Sequence, residues 1–425
     1  MRVVIAGGGI GGLALAQGLE RAGIGTVVLE RDARPEDTGG YRLNLDADAR
    51  TALSRLLPPQ VFQAVLGSAA AGTDVDRFTF CNHRMRVLAE TPLPPAHRVM
   101  IGRVALRTLL ATGLDVRWGA AYRSHTIEPG GSVLVRHDAG TETADVLVGA
   151  DGTRSAVARS LAGRTLSAPT GVDGVAGTVP LDDTARDLLP CVLDHGSALA
   201  FGPRGAGMFL TVHDPSTSPV NPSACTSPAA IRGAASVLIG VHVPADRLPS
   251  GAGRLDGPGL LALLGRLLRE WDPALRTLVD RIDPATLTHF RLQAADPDAD
   301  PAPWPSGVVT AIGDAVHAMP PTGGRGAATA IRDADVLTGR LVAARDGRTT
   351  IPLALHAYER EMATYGPEAV RVSLEPLARQ RRMSGPLGGA LLRAAGLGAT
   401  LRTARSRTAR PARTPHGGTR PAPAS

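Results

Sequence analysis

The first thirty residues constrain this chain more than any other stretch. Val3-Val4-Ile5-Ala6 is an apolar run long enough for one buried strand, and it leads directly into Gly7-Gly8-Gly9-Ile10-Gly11-Gly12. That segment satisfies G-x-G-x-x-G through Gly7, Gly9 and Gly12. Leu13, Ala16, Leu19 and Ala22 follow at helical spacing. Gly23 and Gly25 end the helix, and Thr26-Val27-Val28-Leu29 reads as a second buried strand closed by Glu30. Each part has a task in binding a dinucleotide. Gly7 permits the tight turn, Gly9 leaves room for a pyrophosphate to approach the backbone, and Gly12 lets helix and strand pack closely. The helix N-terminus offers free N–H groups and a partial positive charge to the phosphates. Glu30 stands where a carboxylate accepts from ribose hydroxyls and would repel a 2′-phosphate, so FAD or NAD is expected in this pocket. Glycine is common here, at 50 of 425 residues. The strand–turn–helix–strand context and the closing acid are therefore what make the pattern specific.

At 425 residues the chain predicts two or three domains, and 43% hydrophobic content with mean hydropathy near zero predicts a soluble globular protein. All 46 basic residues are Arg, which removes any Lys-based mechanism such as a Schiff base. The net charge of +7 suggests a polyanion partner until it is located. Six arginines (Arg402, Arg405, Arg407, Arg410, Arg413, Arg420) sit without an acid in a Pro/Arg/Thr tail over 401–425, expected to be disordered. The body is then nearly neutral, and no nucleic-acid partner is expected. Cys81, Cys191 and Cys225 form neither a CxxC pair nor a metal spacing, so thiols of a reducing compartment are expected and no metal site. With no hydrophobic leader before Val3 and no apolar run of spanning length, the expectation is a cytoplasmic protein without stable membrane insertion.

Further along, Tyr41, Leu43 and Leu45 alternate in a strand that points Arg42 to the other face. Phe78-Thr79-Phe80 and Met85–Leu88 read as a hairpin across Asn82-His83, and Arg103 begins a helix carrying Leu106, Leu109 and Leu110. Arg103 either faces a cofactor or is a surface residue at a helix start. Val146-Leu147-Val148 is a buried strand that meets Gly149-Ala150-Asp151-Gly152-Thr153-Arg154-Ser155. From about Gly171 to Pro303 the texture changes to short β-like runs with one helix near Gly259–Trp271, which predicts a separate antiparallel sheet. His213, His242 and His289 lie on it, with Phe290 and Leu292 opposite His289 and Arg291. A third strong stretch, Val308–Ala328, is a buried strand ending in Gly313-Asp314, then His317, the pair Pro320-Pro321, and Gly323, Gly324 and Gly326 entering a second helix. The proline pair stiffens the chain and removes N–H donors. That helix start can also stabilise an anion.

Together these stretches resemble the FAD-dependent aromatic-ring hydroxylases, the group A flavoprotein monooxygenases with the p-hydroxybenzoate hydroxylase fold. Gly7, Gly9 and Gly12 match the family's GxGxxG. Gly149 to Ser155, with Arg159 behind, match its DG motif, and Gly313 to His317 with Pro320-Pro321-Thr322-Gly323 match its GD motif. The resemblance covers roughly residues 1–380. It implies an α/β fold: a Rossmann-like FAD-binding domain over 1–170 with a small β insertion at about 72–98, and an antiparallel substrate-binding sheet over 171–303. A return to the FAD domain with C-terminal helices follows over 304–400.

The resemblance implies FAD contacts at Gly7, Gly9, Ile10, Gly11, Gly12, Glu30 and Arg31, with Glu30 on the ribose, and at Arg42 and Arg103. Asp314 would accept from the ribityl chain. Gly324, Gly326, Ala327 and Ala328 would bring backbone N–H groups to the flavin pyrimidine edge, although the family often has Asn where this chain has Ala328. Asp151 would act indirectly, through Arg159 or the backbone. Pro320 and Pro321 would line the side of the flavin where oxygen reacts. His317 is a general base or, as more often in this fold, packs beneath the motif, and Asp333 and Asp335 are structural or solvated.

The activity implied is hydroxylation of an aromatic or polyketide-like small molecule by a monomer or homodimer, with NADH or NADPH and O2 as co-substrates, through a C4a-hydroperoxyflavin. A Baeyer–Villiger oxygenase, epoxidase or oxidase on the same fold is the nearer alternative, and a non-catalytic FAD-binding protein the more distant one. Gly385–Leu401 is read as a last helix covering the pocket rather than a membrane-surface segment.

Overall fold

The computed structural model describes residues 1–38, 40, 42–71, 77–92, 99–193, 196–214, 229–231 and 233–384. The expected disordered tail, the 385–401 segment and Cys225 lie outside them.

A five-stranded parallel sheet organises the nucleotide domain, with strands in the order Val309–Ala311, Val146–Gly149, Arg2–Ala6, Gly25–Glu30, Val116–Trp118. Its strands are near-continuous apolar runs because both faces are covered: Val3 and Ile5 enter one core cluster and Val4 and Ala6 another. The helices Ile10–Arg21 and Gly326–Arg345 pack on one face with Ala47–Leu56. The other face carries the three-stranded antiparallel sheet Tyr122–Ile127, Val133–His137, Gly140–Ala144. All three motif turns leave the carboxyl ends of adjacent strands, because Arg2–Ala6 pairs in parallel with Val146–Gly149, which pairs in parallel with Val309–Ala311.

The second domain is a seven-stranded sheet in which Ser167–Pro180 pairs antiparallel with Ser236–Pro244 and Thr288–Ala295. One face of this sheet packs Val175, Met208, Leu210, Ile239 and Val241 against the helices Gly257–Leu267 and Pro273–Asp280. Asp256 and Asp272 begin those helices by accepting backbone N–H bonds from Gly259 and Ala274, the usual N-cap chemistry.

Two boundaries differ from expectation. The hairpin Arg77–Asn82/Val87–Pro92 is not an appendage of the nucleotide domain: Arg77–Asn82 pairs in parallel with Gly196–Phe201 and extends the seven-stranded sheet. Phe78 stacks on Phe209 and Phe80 on Phe201, a non-local partnership that local alternation cannot reveal. The sheet also begins at Ser167, ahead of residue 171. A single 34-residue helix, Ile351–Ser384, runs past Pro367 and Pro376 and joins the domains: Tyr358 and Met362 lie in the nucleotide core, while Leu377 packs beside Leu292.

Candidate functional site

The glycines of the first turn are separated by their surroundings. Gly7 has φ +117°, and a side chain there would place Cβ 2.2 Å from the Ala150 carbonyl oxygen. Only glycine is tolerated at such a point. A Cβ on Gly12 would lie 2.1 Å from the Gly7 carbonyl oxygen, so this position closes the helix onto the strand. A Cβ on Gly9 meets no atom within 4 Å. Two of the three glycines are thus demanded by packing, and the third borders open space at the N-terminus of Ile10–Arg21. That combination fits a pyrophosphate.

The three turns converge. Ala150 N–H donates to Ala6 O at 2.7 Å, and Ile312 N–H to Gly149 O at 2.8 Å. A Cβ on Gly11 or Gly313 would lie 3.0 or 3.2 Å from the Cβ of Ala330, so the GD helix seats against both glycine turns. Asp314 lies deep among protein atoms, yet its side chain is exposed, which makes it a wall of the cleft rather than part of the core. Burial pushes its pKa up, and His317 and Arg103 partly offset this. Arg103 is held by a 3.1 Å bond from Nε to Thr38 Oγ1, and burial lowers its pKa against the opposing pull of Asp314. The ribityl role implied for Asp314 and the FAD contact implied for Arg103 thus fall on two charges that feel each other in one cleft.

Glu30 is buried, with Oε2 accepting from Gly8 N–H at 2.6 Å and Oε1 from Asp32 N–H at 2.9 Å. Arg31 is 75% exposed beside it, 3.9 Å from Asp32. The residue that sequence reasoning missed is Arg107, whose Nη2 stands 3.1 Å from Glu30 Oε2. Its signal was available: Arg107 follows Arg103 by one helical turn and shares its face.

The loop after the GD turn is braced from below. Asp333 is fully buried and accepts from Gly313 N–H, His317 Nε2 and Tyr365 OH, each at 2.7 Å. His317 is 1% exposed on its side chain and is tied to this carboxylate. The structure therefore puts it beneath the turn, and the general-base alternative loses its access to the cleft. Asp335 pairs with Arg55 at the surface. Pro320 is buried and Pro321 exposed, and Thr322 Oγ1 docks on Ser373 O at 2.6 Å. Gly324 turns with φ +64° into the 20-residue helix Gly326–Arg345. A Cβ on Gly326 would lie 3.8 Å from Asp314 Oδ1. Ala327 is half-buried, and the Ala328 side chain faces the nucleotide core.

Asp151 works on the backbone of its own helix: it accepts from the Ser155 hydroxyl and from Ala156 N–H at 2.6 Å. Arg159 is exposed and is not its partner, because the carboxylate is already spent on this N-terminus. Arg42 reaches across to the second domain, donating from Nη2 to Ser236 O at 3.0 Å and Oγ at 2.6 Å. Burial lowers its pKa to about 10. His213 and His242 lie on the sheet face opposite the helices, each held near a pKa of about 4 chiefly by burial, so both are neutral. His289 turns to the helix-covered face and pairs with Asp173 at 2.9 Å. Among the described residues no group of His, Cys, Asp and Glu could hold a metal, and no helix is long and apolar enough to cross a membrane.

Comparison with known proteins gives one consistent result. The FAD binding domain family model matches residues 1–203 and 281–373. A dual O-methyltransferase/FAD-dependent monooxygenase of Phaeosphaeria nodorum is 30% identical over 369 residues, which is 78% of this chain and 39% of that protein. The chain thus spans about two fifths of the length of such relatives. An FAD-dependent monooxygenase of Penicillium herquei is 28% identical over 88% of this chain and 89% of its own length. Among solved structures, a candidate FAD-containing monooxygenase of Photorhabdus luminescens superposes with a TM-score of 0.76 at 28% identity, covering 89% of this chain and 97% of that one.

Proposed function

Because this chain belongs to the FAD-dependent aromatic hydroxylase family, we propose that it is a monooxygenase that takes NADH or NADPH and O2 and hydroxylates an aromatic or polyketide-like small molecule. The observation that carries this reading is the meeting of three glycine-bearing turns at the carboxyl ends of three adjacent parallel strands, with open space at Gly9 and a carboxylate, Asp314, in the cleft wall. Ligands of open parallel sheets bind at such an edge.

In this reading the backbone N–H groups after Gly9 and the N-terminus of Ile10–Arg21 receive the pyrophosphate, with Arg103 as its counter-charge. Glu30 accepts from the adenosine ribose and Asp314 from the ribityl chain. When bound and reduced by the nicotinamide co-substrate, FAD supplies the activation of O2 and the transfer of one oxygen atom to an electron-rich ring. The chain's own residues prepare that event without a catalytic acid or base from His317. The N-terminus of Gly326–Arg345 brings a partial positive charge to the ring edge where negative charge gathers. Pro320 and Pro321 would line the side of the flavin where oxygen reacts and present no N–H to it. Phe209 and the small residues Gly240 and Ala176, on the sheet face turned from the helices, suit a flat, apolar substrate. A substrate lying against that face would be shielded from water on that side.

The deciding experiment is to purify the full chain, record its flavin spectrum, and screen aromatic compounds for ligands that accelerate NADH or NADPH oxidation. Product mass is then read under 18O2. A yellow protein that places one 18O atom in a ring hydroxyl supports the reading. A colourless protein that takes up no FAD overturns it, and a product without 18O makes the chain an oxidase or reductase.

A further inference from the structure

We propose that Arg42 is a specificity-determining residue whose free guanidinium nitrogen receives an anionic oxygen of the substrate, so that the ring this protein hydroxylates carries a carboxylate or an ionised phenol or enol. The inference deepens the function proposed above and rests on it. Leu43 and Leu45 turn to the nucleotide core, so alternation along Arg42–Leu45 puts Arg42 and Asn44 on the opposite face. Arg42 crosses to Ser236 with Nη2. Its Nη1 is buried with no hydrogen-bond partner, and among the described residues no carboxylate pairs with this guanidinium. Burial lowers its pKa only to about 10, so it stays charged at neutral pH. A desolvated cation without a counter-charge is unfavourable until an anion meets it.

The surroundings assign that anion to the substrate rather than to FAD. Ser236 begins the strand Ser236–Pro244 and pairs with His213. Val212 and Val237 pack towards the helices, so His213 and Ser236 share the open face of the sheet with Phe209 and Gly240. His213 Nδ1 is likewise buried without a partner, and the ring, kept neutral by burial and by the charge of Arg42, cannot balance that charge. Asn44 Nδ2 lies 4.0 Å from where a Cβ on Gly324 would stand, at the turn expected beside the flavin ring, and its Oδ1 is also buried and unpartnered. Two residues of strand put Arg42 about 7 Å away from that point, on the side where it reaches the second domain. In the reading above the FAD phosphates are met by the N-terminus of Ile10–Arg21 and by Arg103, which leaves the charge of Arg42 for another anion. An apolar face that ends in one uncompensated cation fits an aromatic body with an oxyanion at one end.

The test uses the full chain loaded with FAD, its flavin content read first by absorbance. Isothermal titration calorimetry at neutral pH then compares two matched pairs of flat ligands: 2-naphthoate with 2-naphthamide, and the ionised 2-hydroxy-1,4-naphthoquinone with its neutral 2-methoxy ether. At least one anion is expected to bind about 10- to 100-fold more tightly than its neutral counterpart, the gain from a hydrogen bond to a charged group. Which pair shows the gap tells a carboxylate from an enolate. In Arg42→Met the gap closes to about threefold or less, while the neutral ligands, FAD and NAD+ bind within about threefold of wild type. A merely structural Arg42 would weaken every ligand alike and keep the gap. If Arg42→Met does not fold, Arg42→Gln, which keeps a donor for Ser236 without the charge, must close the gap in the same way. A gap that survives in the folded variant overturns the proposal. So do wild-type pairs of equal affinity, failure of both anions to bind below about 1 mM, and a loss that falls on FAD or NAD+ instead. A chain that takes up no FAD is a separate outcome, and it overturns the cofactor reading itself.

Discussion

His317 Nε2 and Asp333 Oδ2 meet at 2.7 Å in the interior, directly beneath the Gly313–Asp314 turn, with side chains 1% and 0% exposed. Burial pulls the imidazole down, but the charge of Asp333, its hydrogen bond and the charge of Asp314 together carry it above its ordinary value. A base whose pKa is higher folded than unfolded stabilises the fold fully below the unfolded value, near 6.5, and loses that contribution as pH rises through the folded one. The difference in Tm between wild type and His317→Gln is therefore expected to be largest near pH 6 and to shrink towards pH 9. Thermal melts across that range check it, and a pH-independent difference would mean a neutral imidazole.

Gly9 and Gly12 are two glycines of one motif with opposite expected phenotypes. Gly9 has φ −78° and ψ −177°, which alanine adopts freely, and its Cβ would touch nothing. Gly9→Ala should leave the apoprotein within about 1 kcal/mol of wild type while weakening FAD binding about tenfold or more, because the methyl group takes the pyrophosphate's space. Gly12→Ala, 2.1 Å from Gly7 O, should cost about 1–3 kcal/mol or prevent folding. Urea denaturation of the apoproteins and FAD titration separate the two.

Asp314 places a carboxylate where burial disfavours its ionised form. Above the usual carboxylate pKa that group works against the empty fold. Because Asp314 is exposed, solvent screens most of that cost, so Asp314→Ala is expected to leave the apoprotein close to wild type in stability and to weaken FAD binding about tenfold or more. A parallel loss of both in the same melts and titrations would make Asp314 structural instead.

Cys81 and Cys191 should differ sharply in reactivity. Burial pushes the Cys81 thiol up to about 12, whereas Cys191 is exposed. At pH 8 an alkylating reagent is expected to modify Cys191 in the native protein and Cys81 only after unfolding. Peptide mass spectrometry of the labelled chain reads this directly.

Much of the site was legible in the sequence because its parts are local. A turn that demands positive φ, a strand that must be apolar on both faces, and a helix that opens on glycine each announce themselves within about ten residues. Helical spacing puts Arg107 on the face of Arg103, but its particular partners, Glu30, Asp32, Gly8 and Pro35, are none of them its neighbours in sequence. The pairing of Arg77–Asn82 with Gly196–Phe201 escaped notice for the same reason. For Asp151, of the two alternatives Arg159 and the backbone, the structure shows the backbone, a choice that spacing could not make because it does not show where a carboxylate's bonds go.

By itself, then, the amino-acid sequence determined that three glycine turns follow three buried strands, that the first is built for a dinucleotide, and that an acid closes the second strand. Backbone conformation and burial are dictated over short range, and these features need nothing more. Only the tertiary structure decided that His317 lies under the GD turn rather than in the cleft, that Arg42 spans two domains to reach Ser236, and that Arg107 stands as an ion-pair partner beside Glu30. Those outcomes depend on which groups the sheets and helices bring within about 3 Å, and a hydrogen bond across that gap is decided by packing that no single stretch of chain contains.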